Sequence, residues 1–305
     1  MSAAIEIQGL VKRYGELAAV DGISLTVEEG QIFGILGPNG AGKTTTLEIV
    51  EGIRKADGGT VTILGHDHAT EEKQIKQLIG VQLQATATPE RLTVRETIEL
   101  FGKFYPRALP ADDIIKFVQL EQKAENLVRD LSGGQAQRLA IGLALVNDPR
   151  IIFLDEPTTG LDPVARRSLW EVVENLRKSG KTVILTTHYM EEAERLCDLV
   201  AIMDQGRIVA QDTPAGLIKS LGESEAIEFT APEPIPPGEL EGLPAATKVQ
   251  SGDGTMSVFT SDATATLRGL IELSGRKGWP VEGIRIRRAT LEDVFVGLTG
   301  RRLRD

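Results

Sequence analysis

Four apolar runs dominate the chain between Gln31 and Met203. Ile32-Phe33-Gly34-Ile35-Leu36 ends at Gly37, Ile151-Ile152-Phe153-Leu154 at Asp155, and Thr182-Val183-Ile184-Leu185-Thr186-Thr187 at His188; Val200-Ala201-Ile202-Met203 is the fourth. Unbroken apolar runs of this length are the form of strands covered on both faces of a parallel sheet. Helical spacing separates them, over 45–50, 112–126, 135–146 and 164–179, with Asn147-Asp148-Pro149 closing the third of these segments. Residues 5–27 alternate enough to predict short strands about a turn at Tyr14-Gly15-Glu16, and Gly58 to Gly65 predicts another strand bounded by turns. Strands alternating with helices predict an α/β fold with a parallel-sheet core to about Leu217. On such sheets ligands sit beyond the carboxyl ends of the strands. Gly37, Asp155 and His188 each follow a strand directly, so they are expected on one edge.

The pattern changes after about residue 222. Pro232, Pro234, Pro236, Pro237 and Pro244 lie close together and disfavour a helix interior. Around them, strands are predicted over 226–230, 256–260 and 281–287, with helices over 262–277 and 291–298. The expected organisation is therefore a domain over 1–221 and a small α+β appendage over 222–305. Leu291, Val294, Phe295 and Leu298 form an i, i+3, i+4, i+7 stripe, suited to the appendage's own sheet or to a dimer contact.

Composition narrows the function. Of 305 residues, 41% are hydrophobic and 26% charged, ordinary values for a globular chain. A net charge of −10 argues against nucleic acid as the main partner, since that binding depends on Lys and Arg. The single cysteine, Cys197, excludes an internal disulfide framework and reads as a small buried hydrophobe. No run approaches the roughly 18–20 apolar residues of a membrane span, and the N-terminus lacks secretory features. A soluble intracellular chain is expected, reaching any membrane through a partner.

Gly37-Pro38-Asn39-Gly40-Ala41-Gly42-Lys43-Thr44 reads G-x-x-x-x-G-K-[ST] between a predicted strand and helix. This is the setting in which backbone N–H groups cradle a nucleotide's phosphates. Glycines permit close approach, and the helix N-terminus adds a positive end. Lys43 supplies a point charge for the β- and γ-phosphates and Thr44 a hydroxyl for Mg2+. Asp155 is suited to holding Mg2+ or to capping a helix, and Glu156 beside it to polarising water as a general base.

Leu131-Ser132-Gly133-Gly134-Gln135 stands upstream of Asp155-Glu156. With both motifs in this order, the chain resembles the ATP-binding subunits of ATP-binding cassette (ABC) transporters over about residues 1–220. The resemblance implies a P-loop ATPase core with a parallel sheet and a helical subdomain. It implies ATP and Mg2+ as cofactors, with Gly37, Asn39, Gly40, Ala41, Gly42, Lys43, Thr44 and Thr45 on the phosphates and Glu156 as catalytic base. His188 matches the family's switch histidine. Gln84 aligns with the loop glutamine that reaches Mg2+ and the attacking water; Gln82 competes for that role, and Leu83 replaces a common proline. Tyr14, within Lys12-Arg13-Tyr14-Gly15, matches the aromatic that stacks on adenine. Ser132, Gly133, Gly134 and Gln135 contact the γ-phosphate held by the opposite subunit in this family, and Thr159-Gly160-Leu161-Asp162 crosses between the sites.

One phosphate loop and one signature per chain imply a head-to-tail homodimer with two ATP molecules between the copies. The family implies separate polytopic membrane permease subunits as partners and no nucleic acid, which places the chain on the inner face of the cell membrane. The ending from Ala289 to Arg301 resembles the C-terminal extension of exporter ATPases of the daunorubicin-resistance type. Arg301, Arg302 and Arg304 read as solvated charges, and His66 and His68 as surface turn residues. The rival class is a soluble ABC ATPase acting on ribosomes or DNA; these usually carry two cassettes, long coiled coils or zinc-binding cysteines.

Overall fold

The computed structural model describes residues 2–83, 88–221, 225–232, 235–252 and 254–300. They divide into two compact units, Met1–Val209 and Ala210–Asp305. The first opens with β1 (Ala3–Tyr14) and β2 (Leu17–Glu28), an antiparallel pair. These are two long strands, not several short ones. Register shifts at Leu10/Val11 and Lys12/Arg13 interrupt the side-chain alternation, so the sequence pattern breaks where the strand does not.

Then come β3 (Ile32–Leu36), α1 (Lys43–Val50), β4 (Gly58–Ile63), β5 (His66–Asp67), α2 (Glu72–Leu78), β6 (Ile79–Gln82), α3 (Val94–Gly102), α4 (Ala111–Phe117), α5 (Gly133–Ala144), β7 (Ile151–Asp155), α6 (Pro163–Lys178), β8 (Thr182–Thr187), α7 (Met190–Leu196), β9 (Leu199–Asp204) and β10 (Arg207–Asp212). One sheet runs β2-β1-β4-β5 and the other β10-β9-β3-β8-β7-β6. From β9 to β6 the second sheet is parallel, and every residue of β3, β7 and β8 is buried. The three strands that end at Gly37, Asp155 and His188 are consecutive in it, which puts their carboxyl-end loops side by side.

Two segments differ from expectation. The helix predicted over 112–126 stops at Phe117, because Gln119 takes a left-handed φ of 56° that a helix cannot continue through; a short 3-10 turn, Glu121–Lys123, follows. Ile79–Gln82, to which the sequence pattern assigns no element, is the edge strand β6; four residues are too few for a clear period. His68 also departs from its surface assignment, since its Nε2 is buried and desolvation lowers the imidazole pKa.

The second unit holds α8 (Pro214–Lys219), β11 (Glu225–Thr230), α9 (Pro237–Glu241), β12 (Ala246–Gly252), β13 (Thr255–Thr260), α10 (Ala263–Lys277), β14 (Glu282–Arg288) and α11 (Leu291–Thr299). Its antiparallel sheet has the order β12-β13-β11-β14. Ile227, Phe229, Met256 and Val258 pack with Leu270 and Leu273 of α10 in one core. The alternate positions mix polar Glu228 and Ser257 with buried Ala226 and Phe259. Arg287 there bridges Glu228 and Asp293, both at 2.6 Å, tying β14 and β11 to α11. Leu291, Val294 and Phe295 are buried, whereas Leu298 is half exposed. Arg301, Arg302 and Arg304 lie outside the described residues.

Gly80 shows how tightly β6 is seated. A Cβ there would stand 1.9 Å from the Ala144 carbonyl oxygen at the end of α5, and backbone cannot swing aside as a side chain can. Gly80→Ala is expected to destabilise the chain by about 2–3 kcal/mol, measured by urea unfolding with tryptophan fluorescence. A change below about 0.5 kcal/mol would show that α5 yields without cost.

Candidate active site

β3 delivers the chain to Gly37, and the loop closes on α1 through Gly42. That residue has φ 101°, and a Cβ on it would lie 2.1 Å from the Ala19 carbonyl oxygen, so only glycine serves. Asn39 and Gly40 stand exposed at the crest, Ala41 is buried, and Thr45 is half buried in α1. Lys43 is 4% exposed. Its Nζ donates to the carbonyl oxygens of Gly37 at 2.9 Å and Pro38 at 3.2 Å and lies 3.1 Å from Glu156 Oε1.

Asp155 and Glu156 close β7. Thr44 Oγ1 donates to Asp155 Oδ1 at 3.3 Å, and Thr186 Oγ1 donates to the same oxygen. Thr186 Oγ1 also accepts from the Glu156 N–H at 3.0 Å, so one hydroxyl of β8 aligns both acidic residues. Thr159 Oγ1 donates to Glu156 Oε2 at 3.2 Å. Glu156 itself adopts a left-handed φ of 46°, a strained setting for a non-glycine residue and one found at functional sites. His188 Nδ1 is 3.3 Å from Glu156 Oε2, at ion-pair distance but without hydrogen-bond alignment.

Burial dominates the electrostatics, and its effect differs between neighbours. Asp155 is pushed up by desolvation, which the hydroxyls of Thr186 and Thr44 only partly oppose. For Glu156 desolvation also acts upward, yet Lys43 and His188 outweigh it and hold the carboxyl below its ordinary value. Glu156 is thus an anion at neutral pH, poised to accept a proton. Glu51, just past α1, is 4% exposed, and its Oε1 has no hydrogen-bond partner among the described residues. Burial, then the charges of Asp155 and Glu48, raise its pKa to about 8.

The structure therefore brings together Lys43, Thr44, Asp155, Glu156 and His188. Ser132 and Gln135 instead form a capping box at the start of α5, where Gln135 N–H donates to Ser132 Oγ at 3.4 Å and Ser132 N–H to Gln135 Oε1 at 2.9 Å. Gly133 and Gly134 form the first turn of that helix. Tyr14 ends β1 at 43% exposure, its ring centre 5.4 Å from the Arg54 guanidinium and 5.7 Å from Lys12 Nζ. Gln84 lies outside the described residues. Its competitor Gln82 is buried in β6, and its Nε2 donates to the Leu83 carbonyl at 2.7 Å. Sequence reasoning missed Thr186 and Glu51, and it placed Thr159 in the segment crossing between the sites without its bond to Glu156. Thr186 offered only a weak signal, a hydroxyl two residues before His188 in a strand that also holds Thr182 and Thr187.

A phosphate-binding loop between strand and helix, with two acidic residues at the end of a neighbouring strand, defines a P-loop nucleotide hydrolase. Residues 20–159 match the family model for ABC transporters. The chain is 41% identical over 313 residues to the Nod factor export ATP-binding protein I of Ralstonia nicotianae, covering 99% of this chain and 95% of that one. It is 40% identical to the protein of the same name from Burkholderia lata, covering 99% of both. A dimeric ATP-binding cassette in a post-hydrolysis state, bound to ADP and Pi, superposes with a TM-score of 0.62 at 28% identity, over 68% of this chain and 98% of that one. A Clostridium perfringens subunit of an ABC transporter complex gives 0.64 at 26%, over 73% and 95%. The chain belongs to the ABC transporter ATP-binding subunits, and it is an ATP hydrolase.

The raised Glu51 pKa has a sign that can be tested. An acid raised on folding contributes stability below its unfolded value, near 4.5, and loses it as pH climbs through about 8. Glu51→Gln is therefore expected to raise the thermal midpoint at about pH 8.5 and to change it little at about pH 5. Equal shifts at both values would exclude the ionisation of Glu51 as the cause.

Proposed function

We propose that this chain hydrolyses Mg-ATP to drive export through a separate membrane permease, working as a head-to-tail dimer of two copies. The carrying observation is the convergence of Lys43, Thr44, Asp155, Glu156 and His188 on one edge of three adjacent parallel strands. The whole-chain likeness to export ATP-binding proteins supports the direction of transport. Residues 1–221 serve as the nucleotide-binding domain and 222–305 as an accessory domain.

Thr44 and Asp155 fit Mg2+, since a hydroxyl and a carboxylate 3.3 Å apart are the hard oxygen donors that such an ion takes, with phosphate oxygens completing its shell. A bound Mg2+ would supply neutralisation of the charge developing on the transferred phosphoryl group. On nucleotide binding Lys43 turns from Glu156 to the β- and γ-phosphates. Glu156 is then free to accept a proton from the attacking water, while His188 faces its other oxygen and the γ-phosphate. The backbone N–H groups of residues 37–45 hold the phosphates, Tyr14 stacks on adenine, and Gln84 reaches the ion and the water. Ser132, Gly133, Gly134 and Gln135 complete the partner's site across the dimer.

No helix among the described residues is long and apolar enough to cross a membrane. In this reading the permease supplies the passage, and this chain sits on it from the cytoplasmic side.

Glu156→Gln is expected to lower ATP turnover by roughly 100- to 10,000-fold while Mg-ATP binding persists and ATP shifts the chain to a dimer on gel filtration. Unchanged turnover would overturn the base assignment. Tagged protein from mildly solubilised membranes of its own cell should bring down a stoichiometric polytopic membrane protein. Recovery with ribosomes or nucleic acid from the soluble fraction would instead favour the non-transport class.

A further inference from the structure

His188 lacks an obvious anchor of its own. Its imidazole is only 15% exposed, yet Nδ1 makes no hydrogen bond among the described residues, and its 3.3 Å approach to Glu156 Oε2 is misaligned for one. An ion pair without that alignment sets distance loosely and ring orientation hardly at all. What lies against the ring is Tyr189. The two ring centroids are 4.2 Å apart with planes inclined by 42°. Tyr189 is itself fixed twice. Its backbone N–H donates to Thr187 Oγ1 at 2.9 Å, and its ring lies 4.3 Å from the guanidinium carbon of Arg166, within cation–π range.

Arg166 brings in a rigid element. It belongs to the first turn and a half of α6, where Pro163 is pre-set for the helix and Asp162 Oδ1 caps the N–H groups of Val164 and Ala165. The Arg166 N–H donates to the Asp162 carbonyl at 2.9 Å. That turn is held against α5, since a Cβ on Gly134 would lie 2.8 Å from Ala165 Cβ, and Arg138 Nη1 donates to Ser168 Oγ at 2.6 Å.

We infer that Tyr189 and Arg166 are positioning residues for His188, holding its imidazole against Glu156 by stacking where a hydrogen bond would otherwise be needed. This rests on the proposed role of Glu156 and His188 in hydrolysis. Each acts through the histidine and not on the reacting atoms. The stack also joins α6 to the catalytic acid, because Arg166 moves with the helix that abuts Gly134.

The test is steady-state turnover of the full chain with Mg-ATP. Tyr189→Ala is expected to lower kcat about tenfold, short of the roughly 100-fold that a 1 Å misplacement can cost, with KM changed less than about twofold. Tyr189→Phe keeps the ring and is expected to recover most of the loss. Arg166→Met is expected to lower kcat in the wild-type background and to have no further effect in Tyr189→Ala, a non-additivity that two unrelated structural defects would not show. A Tyr189→Ala protein with normal kcat, or one in which KM and thermal midpoint fall together with kcat and Phe does not rescue, would overturn the inference. Glu156→Gln assayed alongside separates the cases. If it abolishes turnover while Tyr189→Ala leaves kcat normal, only the stack is wrong; if it too turns over normally, the underlying reading fails.

Discussion

Lys43 and Glu156, both almost wholly buried and 3.1 Å apart, make up the contact on which the rest of the site depends. Either charge alone would carry a severe desolvation penalty at that depth. Together, and with the carbonyl oxygens of Gly37 and Pro38 accepting from the ammonium, they are tolerated. The pair also demands that two strand ends meet, because Lys43 follows β3 and Glu156 follows β7. β8 lies between those strands, and its Thr186 hydroxyl fixes the turn that follows β7. The parallel sheet thus sets distances that phosphoryl transfer, a reaction governed by positioning, cannot do without.

Much of this was visible in the chain itself. The buried strands declared themselves as unbroken apolar runs, and three of the four lead into Gly37, Asp155 and His188, which the sheet order sets side by side. What stayed hidden follows from the same physics. Thr186 looked like any strand residue because its role depends on a neighbour thirty residues away in sequence. β6 escaped notice because four residues carry almost no period, and its necessity lies in the carbonyl of Ala144 against Gly80. The helix expected through residue 126 failed at Gln119, where one left-handed backbone step overrides a good amphipathic spacing. Glu51 gave no signal, since a glutamate after a helix normally faces water.

The second unit obeys a different economy. Its sheet has an apolar face on α10, and on the other face Arg287 is gripped by Glu228 and Asp293. Desolvation raises both carboxyls, but the guanidinium outweighs it and holds them below their usual values. A buried ion network of this kind contributes less to stability than an apolar core of equal volume, but it tolerates few alternative arrangements of β11, β14 and α11. The stripe on α11 is accordingly used inside the chain at Leu291, Val294 and Phe295.

The partnership of Lys43 with Glu156 also bears on how tightly nucleotide is held. A lysine that already owns a counter-ion gains, on meeting a phosphate, only the difference between two attractions. Its full Coulombic worth never appears in the dissociation constant. Under the proposed mechanism, affinity for the triphosphate is moderated from within, and a carboxylate ready to reclaim the cation assists release of the spent nucleotide. The side chain that displaces the spent nucleotide under that mechanism is the cassette's own Glu156.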